Sequence, residues 1–233
     1  MNNLTHLKIL SLSRNEFTGH LPLDLCHGGL LEIFTASSNY FSGSILKSLK
    51  NCTGLYRVRL DWNQLTGNIF AVFGVYQHLD YIDLSYNNFY GELSSKWGDC
   101  RNMTSLKISN NNVSGEIPPE LGKATQLHLI DLSSNQLKGI PKDLGGLKLL
   151  YELLLNNNHL SGAIPLDIMV LSNLQILNLA FNNLSGLIPK QFGECSNLLL
   201  LNLSGNKFRE SIPGEIGFLL SLQDLDLSFN FLT

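Results

Sequence analysis

One pattern of apolar and polar positions repeats along the whole 233-residue chain. An asparagine recurs every 24 residues, with one interval of 23, at Asn15, Asn39, Asn63, Asn87, Asn111, Asn135, Asn158, Asn182, Asn206 and Asn230. The positions eight, five and three residues before each Asn are apolar, and so is the second position after it. A repeat of this length is typical of a solenoid, in which each repeat forms one coil and neighbouring coils stack.

The spacing predicts one short strand in each coil, which we describe by positions relative to its Asn. Apolar residues at -5 and -3 alternate with polar neighbours, as in a half-buried strand. Such a strand cannot stand alone, so the strands of successive coils are predicted to form one parallel sheet. Each Asn is predicted to satisfy backbone groups of its own turn, because an unpaired buried amide is costly. The Asn residues would then form an internal ladder.

A second recurring segment follows each Asn. Gly usually stands at +4, and Ile-Pro closes the motif at Ile117-Pro118, Ile140-Pro141, Ile164-Pro165, Ile188-Pro189 and Ile212-Pro213. The pattern L-x-x-L-x-L-x-x-N-x-L resembles the leucine-rich repeat, and the 24-residue form with x-G-x-I-P resembles its plant-specific class. The resemblance implies an α/β repeat solenoid, a right-handed twisted superhelix with one parallel concave sheet. It also implies a second short strand in the Gly-x-Ile-Pro segment.

Two local departures from the pattern occur in the second segment, and the first of them is predicted to disturb the second strand. One residue is missing between Gly139 and Ile140, and Glu210 stands where Gly is usual. The ladder of Asn residues is expected to stay in phase. We interpret residues 1–233 as a single domain of about ten repeats without visible caps, an interior part of a longer solenoid.

Charge and composition exclude several classes of function. The net charge is -3 and charged residues make up 15% of the chain, so nothing predicts a nucleic-acid partner or an anionic membrane surface. No apolar run is long enough to span a membrane. Neither metal-ligand spacing nor a catalytic or kinase motif is present. The sequence predicts no enzyme activity, no metal and no cofactor.

The most varied surface is predicted on coils three to five. Side chains at -6, -4, -2 and -1 are expected to point out of the sheet. Charged and aromatic residues at these positions then form one candidate ligand-binding patch, made of Arg57, Arg59, Asp61, Trp62, Tyr81, Asp83, Tyr86 and Lys107. Two arginines on one strand can converge on a carboxylate, and large aromatics supply rigid contact area. Coils two to four, which overlap this patch, lack Ile-Pro and have Leu46, Phe70 and Ser94 at the Pro position.

A purely structural interpretation of the charges stays open. Arg59, Asp83, Lys107 and Asp131 alternate in sign along the -4 column, and neighbouring charges could simply pair. Arg57 has no acidic partner in its own column, so it is the stronger candidate for ligand binding.

Arg57-Val58-Arg59 resembles the R-x-R element of plant receptor-like kinases that bind secreted peptide hormones. The resemblance implies that the two arginines hold the free C-terminal carboxylate of a peptide. It further implies a receptor on the extracellular face of the plasma membrane, with a co-receptor kinase as partner. Two alternatives remain: a secreted defence protein, such as an inhibitor of cell-wall hydrolases, or a truncated product that does not signal.

The glycosylation sequons are consistent with a secreted protein, and the cysteines allow one candidate disulfide. Cys52, Cys100 and Cys195 occupy a core position of the repeat, and Cys26 lies outside that phase, so a disulfide between Cys26 and Cys52 is a candidate that spacing alone does not settle. Candidate glycosylation sites occur at Asn3, Asn51, Asn102, Asn112, Asn183 and Asn202.

Overall fold

The computed structural model describes residues 4–22, 25–26, 29–45, 49 and 52–233. Its strands are numbered β1 to β20 along the chain, so that each coil has one strand before its Asn and one after it. The odd-numbered strands form a parallel, ten-stranded sheet in chain order. They are β1 (Ile9–Ser11), β3 (Ile33–Thr35), β5 (Arg57–Arg59), β7 (Tyr81–Asp83), β9 (Ser105–Lys107), β11 (Leu129–Asp131), β13 (Glu152–Leu154), β15 (Ile176–Asn178), β17 (Leu200–Asn202) and β19 (Asp224–Asp226). The predicted solenoid and its sheet are confirmed.

The Asn ladder holds neighbouring coils together from inside. The Asn87 side-chain amide donates to the carbonyl oxygens of Leu84 at 3.1 Å and of Leu60, in the preceding coil, at 2.9 Å. Its Oδ1 accepts the backbone N–H of Leu65 at 2.9 Å. Every other ladder Asn from Asn39 to Asn230 makes the equivalent hydrogen bond to a carbonyl oxygen of its preceding coil. The predicted ladder is confirmed. Because each Asn also satisfies groups of a neighbouring coil, the ladder cross-links coils as well, which the sequence did not predict.

The even-numbered strands line a second edge. They are β2 (Thr18–Gly19), β4 (Tyr40–Ser44), β6 (Gln64–Asn68), β8 (Asn88–Glu92), β10 (Asn112–Gly115), β12 (Gln136–Leu137), β14 (Ser161–Gly162), β16 (Asn183–Gly186), β18 (Lys207–Glu210) and β20 (Phe231–Leu232). These strands separate into one sheet from β2 to β12 and another from β14 to β20. The break falls at the short coil, where Asn158 still accepts the Leu137 N–H at 2.9 Å. The local disturbance with an intact ladder is therefore confirmed.

Short helical turns return the chain toward the next coil. The 3₁₀ turns are Ser95–Asp99, Pro119–Lys123, Lys142–Gly146, Leu166–Val170, Lys190–Glu194 and Gly214–Phe218. Five follow the Pro of Ile-Pro, whose ring fixes a φ suited to the turn entrance. Ser94 replaces that Pro in coil four and accepts the Lys96 N–H instead. Coil three has a short α-helix, α1 (Ile69–Val72), capped by Asn68.

Leucine columns and a few aromatic residues fill the space between the two edges. Cys52, Cys100 and Cys195 lie in this core, as predicted. A disulfide joins Cys26 to Cys52, whose Cα atoms are 5.4 Å apart on adjacent coils. Among the described residues no helix is long and apolar enough to cross a membrane.

Candidate ligand-binding face

The sheet register brings the predicted patch residues onto three adjacent strands. Arg57 is aligned with Tyr81, and Tyr81 with Ser105. In the -4 column Arg59 is aligned with Asp83, and Asp83 with Lys107. Trp62 and Tyr86 stand at the end of the same coils, each just before its ladder Asn. The geometry of the patch then depends on how these charges and rings pair.

Arg59 is held by a carboxylate of its own coil. Its Nε and one terminal nitrogen donate to the two oxygens of Asp61, at 3.2 and 3.1 Å. This bidentate hydrogen bond raises the pKa of Arg59. Asp61 itself is 5% exposed. Its carboxylate therefore positions Arg59 and is not a direct surface for a ligand.

The expectation that side chains at -2 point out of the sheet is wrong for most of the chain. Buried residues occupy this position at Ser37, Asp61, Ser85, Ser109, Ser133, Ala180 and Ser204. The strand ends at -4, so its alternation of inward and outward side chains no longer applies two residues later. The prediction for Asp61 was wrong because it extended the alternation of the strand beyond the residue at which the strand ends.

Arg57 has an acidic neighbour that the column comparison missed. A terminal nitrogen of Arg57 lies 3.9 Å from Oδ2 of Asp80, and its guanidinium carbon stands 5.0 Å from the centre of the Tyr81 ring. Asp80 precedes its strand and aligns with Tyr56, so a diagonal comparison of neighbouring coils would have found it. The contact is longer than a hydrogen bond, and the Arg57 side chain stays 44% exposed. Its guanidinium keeps donors for a ligand.

Asp83 is buried, with 7% of its surface exposed to solvent. Its carboxylate accepts hydrogen bonds from the Tyr81 hydroxyl at 3.2 Å and from the Ser85 N–H at 3.1 Å. Burial raises the pKa of Asp83, and the charge of Asp61 adds to the rise. Burial, with Asp83 close by, also raises the pKa of Tyr81 to about 12. Tyr81 therefore remains a neutral hydrogen-bond donor at physiological pH.

The alternating charges of the -4 column do not pair along the column. Arg59 binds Asp61, and Asp131 accepts hydrogen bonds from Ser133. Within the part of the chain that the structure describes, Lys107 has no carboxylate oxygen within 4.0 Å. Local turns offer closer partners than the next strand does, so the ladder of ion pairs does not form. Lys107 remains a partly exposed cation beside Asp83.

Trp62 and Tyr86 form an aromatic stack on the rim of the concave face. Their ring centroids are 3.8 Å apart and their planes differ by 11°. Both residues adopt a left-handed backbone, with φ of 56° and 55°. Equal backbones on adjacent coils place the rings in parallel, because the coil spacing is close to the thickness of a ring. Trp62 is 55% exposed and Tyr86 40% exposed.

The candidate glycosylation sites differ in accessibility. Asn102, Asn112 and Asn183 are exposed, whereas Asn202 is half-buried and its Oδ1 accepts hydrogen bonds from Ser204. Asn3 and Asn51 lie outside the described residues. Over those described residues, no three His, Cys, Asp or Glu side chains are grouped to hold a metal ion. Attachment of glycans stays a prediction.

Comparison with known proteins defines the class. The leucine-rich-repeat family models match residues 101–160 and 172–232, and a further one matches residues 6–27. These matches cover more than half of the chain, which therefore belongs to the leucine-rich-repeat family.

Within that class the chain is similar to plant receptor ectodomains. A TDR receptor structure is 31% identical over 98% of this chain and 40% of its own, with a TM-score of 0.91. The Arabidopsis receptor kinase HAESA, solved with the peptide hormone IDA and the co-receptor SERK1, is 30% identical over 100% of this chain and 40% of its own, with a TM-score of 0.87. Receptor-like protein 54 of Arabidopsis thaliana is 38% identical over 65 residues, 28% of this chain and 8% of its own length. The chain thus spans less than half the length of these relatives.

Proposed function

We propose that the chain is the ligand-binding region of an extracellular plant receptor and that it binds a secreted peptide. The observation that carries this proposal is the cluster of exposed cations and aromatic rings on coils three to five of the concave face. The similarity to HAESA, whose structure contains a peptide hormone, supports the choice of a peptide. The same similarity supports a parent receptor-like serine/threonine kinase on the plasma membrane, with a co-receptor kinase as its partner.

The peptide would lie extended across the strands, with its C-terminal carboxylate at Arg57. Arg57 keeps free donors, while Arg59 already gives two hydrogen bonds to Asp61. Arg59 then contributes long-range electrostatic attraction only, and Lys107 adds a partly exposed cation at the far side. Tyr81, Trp62 and Tyr86 offer rings against which peptide side chains can pack. Asp61 and Asp83 serve to hold Arg59 and Tyr81 in place.

The test compares synthetic secreted peptides made with a free and an amidated C-terminus. We expect the 233-residue chain to prefer the free acid by about 10- to 100-fold, as for one or two charge-assisted hydrogen bonds. Arg57→Ala should remove most of this preference, Arg59→Ala less, and the double variant all of it. Binding is measured by titration calorimetry.

Arg209→Ala is the matched control, because Arg209 also stands over an aromatic ring, that of Phe231, but on the second edge. It should leave the preference unchanged. Equal affinity of the unmutated chain for both forms of every peptide that binds would rule out the carboxylate site.

A further inference from the structure

We propose that the outer face of Trp62, together with the hydroxyl-bearing surface of coils one and two, binds a neutral saccharide. This site neighbours the peptide patch but does not depend on the proposed peptide function. It shares Trp62 with that patch, through the indole face that Tyr86 leaves open, and otherwise uses residues that the peptide proposal leaves unused.

One face of the Trp62 ring is covered and the other is open. Tyr86, in the following coil, stacks against the first face at 3.8 Å. On the other side the equivalent position in coil two is Ser38, whose side chain is too small to cover an indole. The stack with Tyr86 fixes the orientation of the indole, and Trp62 is 55% exposed. An open π face held rigidly in this way suits the C–H groups of a sugar ring, which carry slight positive charge.

The surface beside that open face consists of hydroxyl groups. Ser11 and Thr35 share a hydrogen bond of 3.0 Å, and Ser37 donates to the Ser13 hydroxyl at 2.9 Å. A hydroxyl can donate one hydrogen bond and accept two. Ser37 is buried, and Ser13 already accepts hydrogen bonds from the Ser37 hydroxyl and N–H, so the remaining capacity for a ligand lies with Ser11, Thr35 and the Ser13 O–H donor. Ser11 and Ser38 are exposed, and Ser13 and Thr35 are half-buried. The surface therefore offers donors and acceptors in the mixture that a polyhydroxylated ring requires.

Fixed charge is scarce on this part of the face. The -6 position holds Ile9 and Ile33, and the -4 and -2 positions of both coils hold only serine and threonine. Beyond the isoleucines, Lys8 and Glu32 neutralise each other in an ion pair of 2.8 Å. Arg14, at -1 of coil one, is exposed, and the nearest charges of the next coil are Arg57 and Arg59, which align with Ile33 and Thr35. An uncharged ligand meets coils one and two without leaving a buried charge unpaired, and these two coils themselves hold no charged cluster built for an acidic or basic ligand.

The experiment uses neutral oligosaccharides, cellohexaose and laminarihexaose, with an oligogalacturonide as the acidic comparison. The chain has two tryptophans, and Trp97 is 2% exposed, so a change of fluorescence on titration reports on Trp62. We expect saturable binding of a neutral oligosaccharide to the unmutated chain and to the Arg57→Ala, Arg59→Ala double variant, and much weaker binding of the oligogalacturonide to that double variant, in which the neighbouring cations are removed.

Ser38→Tyr is the decisive variant, because a ring at this position would stack on the open face as Tyr86 does on the other. The position has φ of 55°, the value that Tyr86 also adopts, so the backbone accepts a tyrosine. We expect the variant to weaken saccharide binding by on the order of tenfold or more. Trp62→Ala, followed by calorimetry, should do the same.

Phe181→Ala is the control, since Phe181 occupies the same -1 position in coil eight and is 56% exposed. It should leave the affinity unchanged. No saturable binding of either neutral oligosaccharide at millimolar concentration would overturn the proposal. So would unaltered affinity in Ser38→Tyr.

Discussion

The residue before each ladder Asn decides what the rim of the concave face can present. Its φ lies between 53° and 63° in all coils, although only Gly205 is a glycine there. A left-handed backbone costs a non-glycine residue roughly 1 kcal/mol or more, and the Asn ladder maintains it by fixing the turn. The common backbone is what brings Trp62 and Tyr86 into a stack. Aromatic pairs at this position are therefore specific surface features of the coils that carry them.

Asp83 gives a prediction about pH at the same scale. Burial raises its pKa, so the folded chain binds this proton more tightly than the unfolded chain does. Its contribution to stability is consequently most favourable below the ordinary pKa of an aspartate and is lost as pH rises through the folded pKa. Asp83→Asn removes the buried charge and can keep both hydrogen bonds, with the Tyr81 hydroxyl turned to accept. We expect this variant to be more stable than the unmutated chain at pH 7 and equal to it at pH 3, in urea unfolding.

Asp226→Asn is the matched control in the same column. Hydrogen bonds from Ser228 lower the pKa of Asp226, so its ionised form favours the folded state. The variant should lose stability at pH 7 and lose less at pH 3. A stabilising effect of both substitutions at pH 7 would show that general charge repulsion, and not burial, acts on Asp83.

At the scale of elements, the spacing of the repeat predicted those features that backbone hydrogen bonds between coils determine. Strand positions, the Asn ladder and the break beside Gly139 follow from the repeat length, because a parallel sheet tolerates no free change of register. The pairing of Arg59 with Asp61 and the approach of Asp80 to Arg57 could not be read in this way. Several carboxylates lie within reach of each arginine, and the choice depends on rotamers and on where the strand ends.

Strand β18 of the second edge has a glutamate where the other coils usually have glycine, so a substitution there measures what the glycine contributes. Glu210 stands at the usual Gly position with φ of 64°, a conformation that glycine adopts without steric cost. Glu210→Gly should raise the free energy of unfolding by about 0.5–1 kcal/mol, after allowance for the greater freedom of glycine in the unfolded chain. The measurement is chemical denaturation followed by circular dichroism.

Lys207→Gly, in the same strand, provides the comparison. Lys207 is not among the residues with positive φ, so glycine there brings no relief. This substitution should lower the free energy of unfolding by about 0.5–1 kcal/mol. A loss of stability in both variants would mean that the backbone at Glu210 is unstrained.

At the scale of the whole molecule, stability passes from coil to coil. Each coil contacts its two neighbours, so the chain resembles a one-dimensional array in which interface energies add. The main sheet, the Asn ladder and the core leucines all cross the same interfaces. The disulfide between Cys26 and Cys52 adds a covalent link between coils two and three. A defect inside the array should therefore cost more than the same defect at its end.

The ladder allows this difference to be measured with one type of substitution. Asn135 donates to Ile108 and Leu132 at 3.0 and 3.2 Å and accepts the Val113 N–H at 3.0 Å. Asn135→Ala would leave buried backbone groups of two coils unpaired, so we expect a loss of about 3 kcal/mol or more in the free energy of unfolding. Asn15 is exposed, and among the described residues it donates only to carbonyl oxygens of its own coil. Asn15→Ala should cost about 1 kcal/mol or less. Equal losses in denaturant titrations of the two variants would mean that water replaces the interior hydrogen bonds, and the ladder would then not be the cross-link between coils.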